Sequence, residues 1–381
     1  MKKFIYADNA ATTKLDSDVF EIMKPYLLSE YGNASQPYSF SRASKLALKN
    51  AREMIAKCIN AKPEEIYFTS GGTESDNWAI KGICLPGEGK RLITSEIEHH
   101  AILNSAETVK RMGADVDYLK PTSEGVITVD ELKKVITSKT TMVSVMLANN
   151  EIGTIQPIKD LAETAHKFGA LCHTDAVQAV GHIKIDVKEL GIDMLSASAH
   201  KFNGPKGIGF IYIKQGTAIP AYLDGGSQES ALRAGTENVA SIVGMAYALK
   251  KNCDNLVVNK EKITKLEEKL LALLNVYESN DIKKNGGNNT LPGNISLSLR
   301  NQDGEALLHR LDLRGICIST GSACDSKKTN ISHVLKAIQL DEQFAKGTIR
   351  ISLGKDNTED DIQYIANELK KIMNIENSYQ P

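Results

Sequence analysis

Apolar runs and helical patterns alternate between about residues 65 and 215. The runs Ile66–Thr69, Arg91–Ser95, Met142–Leu147 and Leu171–Thr174 are short and bounded by turn residues, which predicts interior strands. Asp193–Ala199 is small and apolar, and Gly207–Ile213 reads as a further strand. Between these lie helical periods. Ile158–Phe168 places Leu161, Ala162, Ala165 and Phe168 on one face and stops at Gly169. Strands alternating with helices predict a mainly parallel sheet covered on both faces. Ligands of such sheets bind at the carboxyl ends of the strands. A long amphipathic helix is expected over Val257–Leu274, with Ile263, Leu266, Leu270 and Leu273 apolar, and it begins a second domain. Lys283–Asn289 is polar and is expected to be a loop. Strand patterns at Asn294–Leu299 and Thr348–Leu353 then mix with helices, giving a smaller α+β domain.

The 381 residues suffice for one large domain and a smaller one, with no internal repeat. A net charge of −1 gives no electrostatic case for nucleic acid or a membrane surface. No apolar run approaches a transmembrane span. The beginning, Met1–Asp8, has two lysines without a long apolar stretch, unlike a signal peptide. The six cysteines, at 58, 84, 172, 253, 317 and 324, show neither a C-x-x-C pair nor zinc spacing. No metal site is expected, and most are expected to be free thiols in a reducing cytoplasm.

Candidate chemistry gathers at the predicted strand ends. In Ser198-Ala199-His200-Lys201-Phe202-Asn203-Gly204-Pro205-Lys206-Gly207, a lysine sits where a buried strand breaks into a turn. Partial desolvation there would lower the amine's pKa and make it a nucleophile for a Schiff base. Ser198 and His200 are donors placed to meet a phosphate. Lys206 is the competing amine, but its Gly-Pro-Lys-Gly turn is more solvated, so Lys201 is preferred. Thr69-Ser70-Gly71-Gly72-Thr73-Glu74-Ser75 leaves a strand and enters a helix expected over Asp76–Ile83. Glycines at a helix N-terminus expose N–H groups to an anion, although an ordinary N-cap turn reads the same way. Asp175, beyond the strand ending at Thr174, could hold a heterocyclic nitrogen protonated or simply cap a helix. His99, in Glu98-His99-His100, could stack on a planar ring and move protons. Asn150 could hydrogen-bond a ligand oxygen.

Each feature alone is weak. Together they supply an amine, a carboxylate for a pyridinium, a ring stacker and a phosphate cradle. That inventory fits pyridoxal 5′-phosphate. A further segment, Ser319–Asn330, is small and polar and holds Cys324 near Lys327 and Lys328. Nearby positive charge favours the thiolate, so chemistry is preferred to packing there. The segment is also expected to be mobile.

The order and spacing of these pieces closely resemble the cysteine desulfurases, dimeric fold-type-I pyridoxal-phosphate enzymes. The likeness runs from Tyr6-Ala7-Asp8-Asn9-Ala10-Ala11-Thr12-Thr13, through the motifs above and Arg233-Ala234-Gly235-Thr236-Glu237-Asn238, to Ile349-Arg350-Ile351-Ser352. It implies that Lys201 is the Schiff-base lysine, Asp175 the partner of the pyridine nitrogen, Gln178 that of the phenolic oxygen, and His99 the ring stacker. Gly72, Thr73, Ser198 and His200 would bind the phosphate, with Thr236 reaching that of a neighbouring subunit. Asn150 and Arg350 would hold the substrate carboxylate. Cys324 would accept sulfur from L-cysteine as a persulfide, leaving alanine, and could contact a nascent iron–sulfur cluster. The implied fold places residues 14–252 in the large cofactor-binding domain. Residues 1–13 and 253–381 would form the small domain. The implied partners are a second copy of the chain and a sulfur-acceptor or iron–sulfur scaffold protein, in the cytoplasm. A selenocysteine lyase or aminotransferase-like enzyme of the same fold, and a non-catalytic scaffold, are the other readings. Two stretches depart from the family pattern. Gly32-Asn33-Ala34-Ser35-Gln36-Pro37-Tyr38 lacks the usual Gly-Asn-Pro-Ser-Ser, and Ala231-Leu232-Arg233 stands where members often have Gly-Arg-Arg.

Overall fold

The computed structural model describes residues 4–320 and 331–377, with side chains as far as Met373. Its strands in chain order are β1 (Ile5–Tyr6), β2 (Ile66–Thr69), β3 (Arg91–Ser95), β4 (Asp115–Leu119), β5 (Met142–Ser144), β6 (Leu171–Asp175), β7 (Met194–Ser198), β8 (Gly209–Ile213), β9 (Ile282–Lys284), β10 (Asn294–Leu299), β11 (Ile316–Cys317), β12 (Ser319–Thr320) and β13 (Thr348–Ser352). Seven of them form the large sheet, in the order β2-β8-β7-β6-β5-β3-β4. Pairing is parallel from β7 to β4. Strand β8 runs antiparallel to both its neighbours. The sheet is therefore mainly parallel and α/β in class, as its alternating pattern predicts. Its interior strands are buried on both faces, which accounts for their continuous apolar character.

Strand β4 was not anticipated. Its sequence, Asp-Val-Asp-Tyr-Leu, carries charge because it lies at the sheet edge, where Arg91 on β3 pairs with Asp117 at 2.8 Å. The predicted strand from Met142 ends its ladder at Ser144. The chain beyond stays extended, with Val145 and Leu147 N–H groups donating to the carbonyls of His173 and Asp175.

The second sheet, β12-β13-β10-β9, is antiparallel in every pairing. It corrects one expectation: Lys283 and Lys284 belong to strand β9 and not to a loop. Edge position reconciles lysines with a strand, since one face stays in water while Lys284 pairs with Glu267 at 3.5 Å. The helix Leu256–Leu273 covers this sheet with Ile263, Leu266, Leu270 and Leu271.

Two large apolar clusters underlie the sheets. One joins the helices and strands of the large sheet with Val334, Leu335 and Ile338. The other joins Ile5 and Ala7 to residues between Ile263 and Ile372. The first residues thus belong to the second core. Strand β1 pairs parallel with β11, and Asp8 bridges to Ser352. Residues 8–13 then cross to the large sheet, where the Thr13 N–H donates to the His200 carbonyl. That crossing positions the site.

Candidate active site

A cavity of about 680 Å³ opens at the carboxyl ends of β5, β6 and β7. Its wall includes Gly72, Thr73, His99, Asn150, Asp175, Gln178, Ser198, His200, Lys201 and Arg350. Ten residues singled out from sequence, scattered from Gly72 to Arg350, thus meet around one space.

Lys201 ends the short 3₁₀ turn that follows β7. Its Nζ donates to the carbonyls of Ala10 at 2.5 Å and Ala11 at 2.9 Å, so the crossing segment holds the amine. Lys206 also borders the cavity but is exposed, as its turn implies. Gln178 Nε2 donates to the same Ala10 carbonyl at 3.0 Å. His200 Nδ1 lies 3.1 Å from Thr12 Oγ1. Burial and the Lys201 and Lys206 ammonium groups push His200 down to about 4, so it is neutral at pH 7.

The helix Gly72–Cys84 starts four residues before the predicted Asp76, with its N-terminal N–H groups at the cavity. Gly71 has φ +153°, and a Cβ at Gly72 would lie 2.5 Å from Val177 Cγ2. Only glycine lets backbone approach this closely, and the result is a cradle for an anion beside Ser198. Thr73 is exposed at its rim.

Asp175, at the end of β6, is buried and accepts from the Val177 N–H at 2.9 Å. Burial raises its pKa, while His99, that hydrogen bond and Lys201 pull it back. His99 caps the helix His100–Arg111, with Nδ1 accepting from the Ala101 N–H at 3.1 Å. Neutral His99 therefore carries its proton on Nε2, and burial lowers its pKa. Arg350 lies in β13 and is 5 % exposed. Its guanidinium donates to the Asn150 carbonyl at 2.8 Å and to Asp8 Oδ1 at 2.9 Å. Its Nε has no hydrogen-bond partner among the described residues. Asn150 thus serves Arg350 through its backbone, while Asn149 Oδ1 shapes the turn by accepting from the N–H groups of Glu151 and Ile152.

Sequence reasoning missed the buried carboxyls at and beneath the cavity wall. Asp76 and Glu98 are completely enclosed, and Asp76 lines the cavity. Burial raises both carboxyls, Glu98 to about 8. Behind Asp175, His173 bridges Ser144 at 2.9 Å and Ser196 at 3.0 Å and is pushed down to about 3 by burial. His100 and His333, whose rings lie 5.0 Å apart, also face the cavity and were not assigned. The signal for these groups was only polarity in apolar surroundings. Thr236 is exposed and is not part of the cavity wall. Cys324 lies outside the described residues.

These groups fit pyridoxal 5′-phosphate. An anion cradle, an enclosed carboxyl, an amine and an imidazole face one space. Such an arrangement on a mainly parallel sheet is what a pyridoxal-phosphate enzyme requires. Residues 5–365 match the model of the aminotransferase class-V family. A cysteine desulfurase IscS of Dictyoglomus turgidum is 46% identical over 376 residues, 98% of this chain and 95% of that protein. One from Methanosarcina thermophila is 43% identical, covering 97% and 92%. Among solved structures, a NifS-like protein superposes with a TM-score of 0.92 at 37% identity, over 98% of this chain and all of that one. SspA in complex with cysteine gives a TM-score of 0.81 at 35% identity, over 93% and 99%. The chain belongs to the cysteine desulfurases of the class-V aminotransferase family.

Proposed function

We propose that this cysteine desulfurase uses pyridoxal 5′-phosphate to take sulfur from L-cysteine, leaving L-alanine and a persulfide on Cys324. The observation that carries this reading is the convergence of Lys201, Asp175 and Arg350 on one cavity. Gly72, Thr73, Ser198 and His200 would hold the phosphate, Asp175 the ring nitrogen, Gln178 the phenolic oxygen and His99 one ring face. When bound, the cofactor supplies an electron sink for negative charge at the substrate Cα.

This chain's groups do the rest. Arg350 holds the substrate carboxylate beside Asn150 and fixes which Cα bond faces Lys201. The Lys201 amine takes the Cα proton and can return it. His99 Nε2 moves protons at the substrate. The Cys324 thiolate attacks the substrate sulfur. The Cβ–S bond breaks as the S–S bond forms, its electron pair goes to the carbon, and a proton completes the alanine methyl group. An acceptor protein, such as an iron–sulfur scaffold, or a thiol reductant then removes the persulfide sulfur.

The enzyme is read as a cytoplasmic homodimer. Thr236 of each copy would reach the phosphate of the other, which suits its exposure away from its own cavity. Residues 14–252 would form the cofactor domain, with 1–13 and 253–381 forming the small one. Among the described residues no helix is long and apolar enough to cross a membrane. No group of three or more potential metal ligands occurs among them.

The test is incubation with L-cysteine and a thiol reductant, measuring alanine and sulfide together. Equimolar products are expected, with one added sulfur on the Cys324 peptide before reduction. Turnover of L-selenocysteine alone would favour a lyase, and an inert, colourless protein would favour a scaffold.

A further inference from the structure

The cradle suited to a phosphate also holds a carboxylate. Glu74 is the third residue of the helix Gly72–Cys84 and lines the cavity with Ser70, Gly71, Gly72 and Thr73. Its Oε2 accepts from the Ser70 N–H at 2.8 Å, so it already occupies part of the positive pole that a helix offers an anion. Burial raises this carboxyl, but the hydrogen bonds from Arg233 and Ser70 outweigh burial and hold it below its ordinary value, which keeps it ionised at pH 7. Left alone, that charge would repel a phosphate placed beside it.

Arg233 answers the charge. Its Nε donates to Glu74 Oε1 at 2.8 Å and its Nη2 to Glu74 Oε2 at 3.2 Å, a two-bond fork with both side chains largely enclosed. Arg233 is not itself part of the cavity wall, so it acts on the cradle through Glu74. It is the only arginine between Arg111 and Arg300, and no neighbour in sequence can replace it. The segment that carries it is fastened at other points. The Pro220 carbonyl accepts from Trp78 Nε1 at 3.1 Å, and the rings of Trp78 and Tyr222 lie 5.9 Å apart. Glu229 accepts from the Phe68 N–H at 2.9 Å and is ion-paired with Arg52. The Tyr222 and Ala234 N–H groups donate to the Leu232 and Leu223 carbonyls, which closes the segment on itself. With those contacts in place, the Arg233–Glu74 pair matters less as a tie than as a balance of charge.

We propose that Arg233 is a positioning residue that neutralises Glu74 and so leaves the helix N-terminus able to bind the dianionic phosphate of the cofactor. This role rests on the pyridoxal-phosphate reading of the cavity.

The experiment measures equilibrium binding of pyridoxal 5′-phosphate, and of pyridoxal, which lacks the phosphate, to the full-length apo-protein. Arg233→Met removes the charge and keeps most of the side chain's length. It should weaken pyridoxal 5′-phosphate at least about tenfold, as an uncompensated charge beside a dianion requires, and change pyridoxal less than about threefold. Adding Glu74→Gln to Arg233→Met should bring pyridoxal 5′-phosphate back to within about threefold of the wild type, because the repelling charge is gone. Glu74→Gln alone should bind pyridoxal 5′-phosphate more tightly than the wild type, with pyridoxal unchanged, and it decides the matter if Arg233→Met folds poorly. Equal weakening of both ligands in Arg233→Met, or no recovery in the double variant, overturns the proposal, since a purely structural tie acts on both ligands and is not mended by removing its second partner. Wild-type affinity in Arg233→Met overturns it too, as does weaker binding of pyridoxal 5′-phosphate by Glu74→Gln. A wild-type protein that binds pyridoxal 5′-phosphate no more tightly than pyridoxal overturns the phosphate cradle itself, a result distinct from a failure of Arg233 alone.

Discussion

Arg350→Lys isolates the carboxylate-binding role from the cofactor's own chemistry. Arg350 is already half-engaged: two nitrogens serve the Asn150 carbonyl and Asp8, while the enclosed Nε has no partner among the described residues. A guanidinium fixed in this way presents a planar edge to a carboxylate, and two parallel bonds can form. Lysine is a single point donor on a flexible stem. It can keep the Asp8 contact or meet the substrate, but it cannot reproduce the fork. A hydrogen bond to a charged group contributes about 1.5–3 kcal/mol. Losing one, at about 2 kcal/mol, raises KM for L-cysteine roughly 30-fold. The expected kcat stays within about threefold, since Arg350 stands apart from proton transfer. The absorption of the resting bound cofactor should stay normal. The assay is sulfide and alanine release against L-cysteine concentration, with thermal melting as a control, because Asp8 ties the first strand to this site. An unchanged KM in a protein that keeps its cofactor would refute the role given to Arg350.

Lys201→Ala should abolish turnover and shift the visible absorption of the cofactor, which can still be held through the phosphate cradle. If Lys206→Ala has that effect and Lys201→Ala does not, the amines have been assigned the wrong way round. Asp175→Asn should lower kcat by at least 100-fold, because an amide cannot hold the ring nitrogen protonated. Activity within tenfold of wild type would count against that partner. Glu98→Gln tests the buried carboxyls without cofactor. The Glu98 pKa is raised from 4.5 to about 8, so the fold favours its protonated form. Its stabilisation is full below 4.5 and is lost as pH rises toward 8. Between pH 6.5 and 8 that loss is at most about 2 kcal/mol. The apo-protein's thermal midpoint should therefore fall over this window, and the fall should flatten in Glu98→Gln. An identical slope in both proteins would show that Glu98 is not the group responsible.

The sequence reported strands by their apolar runs wherever a strand was interior. Strands β2 and β3 coincide with the expected Ile66–Thr69 and Arg91–Ser95. Edge strands hid. Strand β4 alternates acidic and apolar residues, and β9 contains two lysines, because an edge is partly solvated. The helix at Gly72 was expected to begin later, since glycine in a first turn reads as loop; here it is required by the approach to Val177. Motif residues at strand ends were legible because topology alone gathers them. The buried carboxyls were not, because polarity ordinarily signals exposure. No spacing could tell Asn149, which builds its turn with its side chain, from Asn150, which serves through its carbonyl.

The cavity wall and the layer beneath it carry more acid than charge. Asp76, Glu98 and Asp175 are all enclosed; Asp175 raises the cost of ionising both of the others, and Glu98 raises that of Asp76. Burial keeps His173 neutral, so it supplies no counter-charge. Among the described residues Asp76 Oδ1 and Glu98 Oε2 have no hydrogen-bond partner, which a protonated carboxyl tolerates better than a carboxylate does. Asp175 differs from the other two. It alone accepts from the Val177 N–H and is stabilised as an anion by both His99 and Lys201. One negative charge is thus affordable among these carboxyls, and it falls on the one with those supports. A ligand that brings a protonated heterocyclic nitrogen to Asp175 would add a further cation there and offset the desolvation of the buried carboxylate. A ligand with a neutral ring edge leaves that carboxylate with the supports of Val177, His99 and Lys201 alone. The site therefore favours a pyridinium over its neutral form before any substrate arrives, and the Asp76 and Glu98 protons are part of that preference.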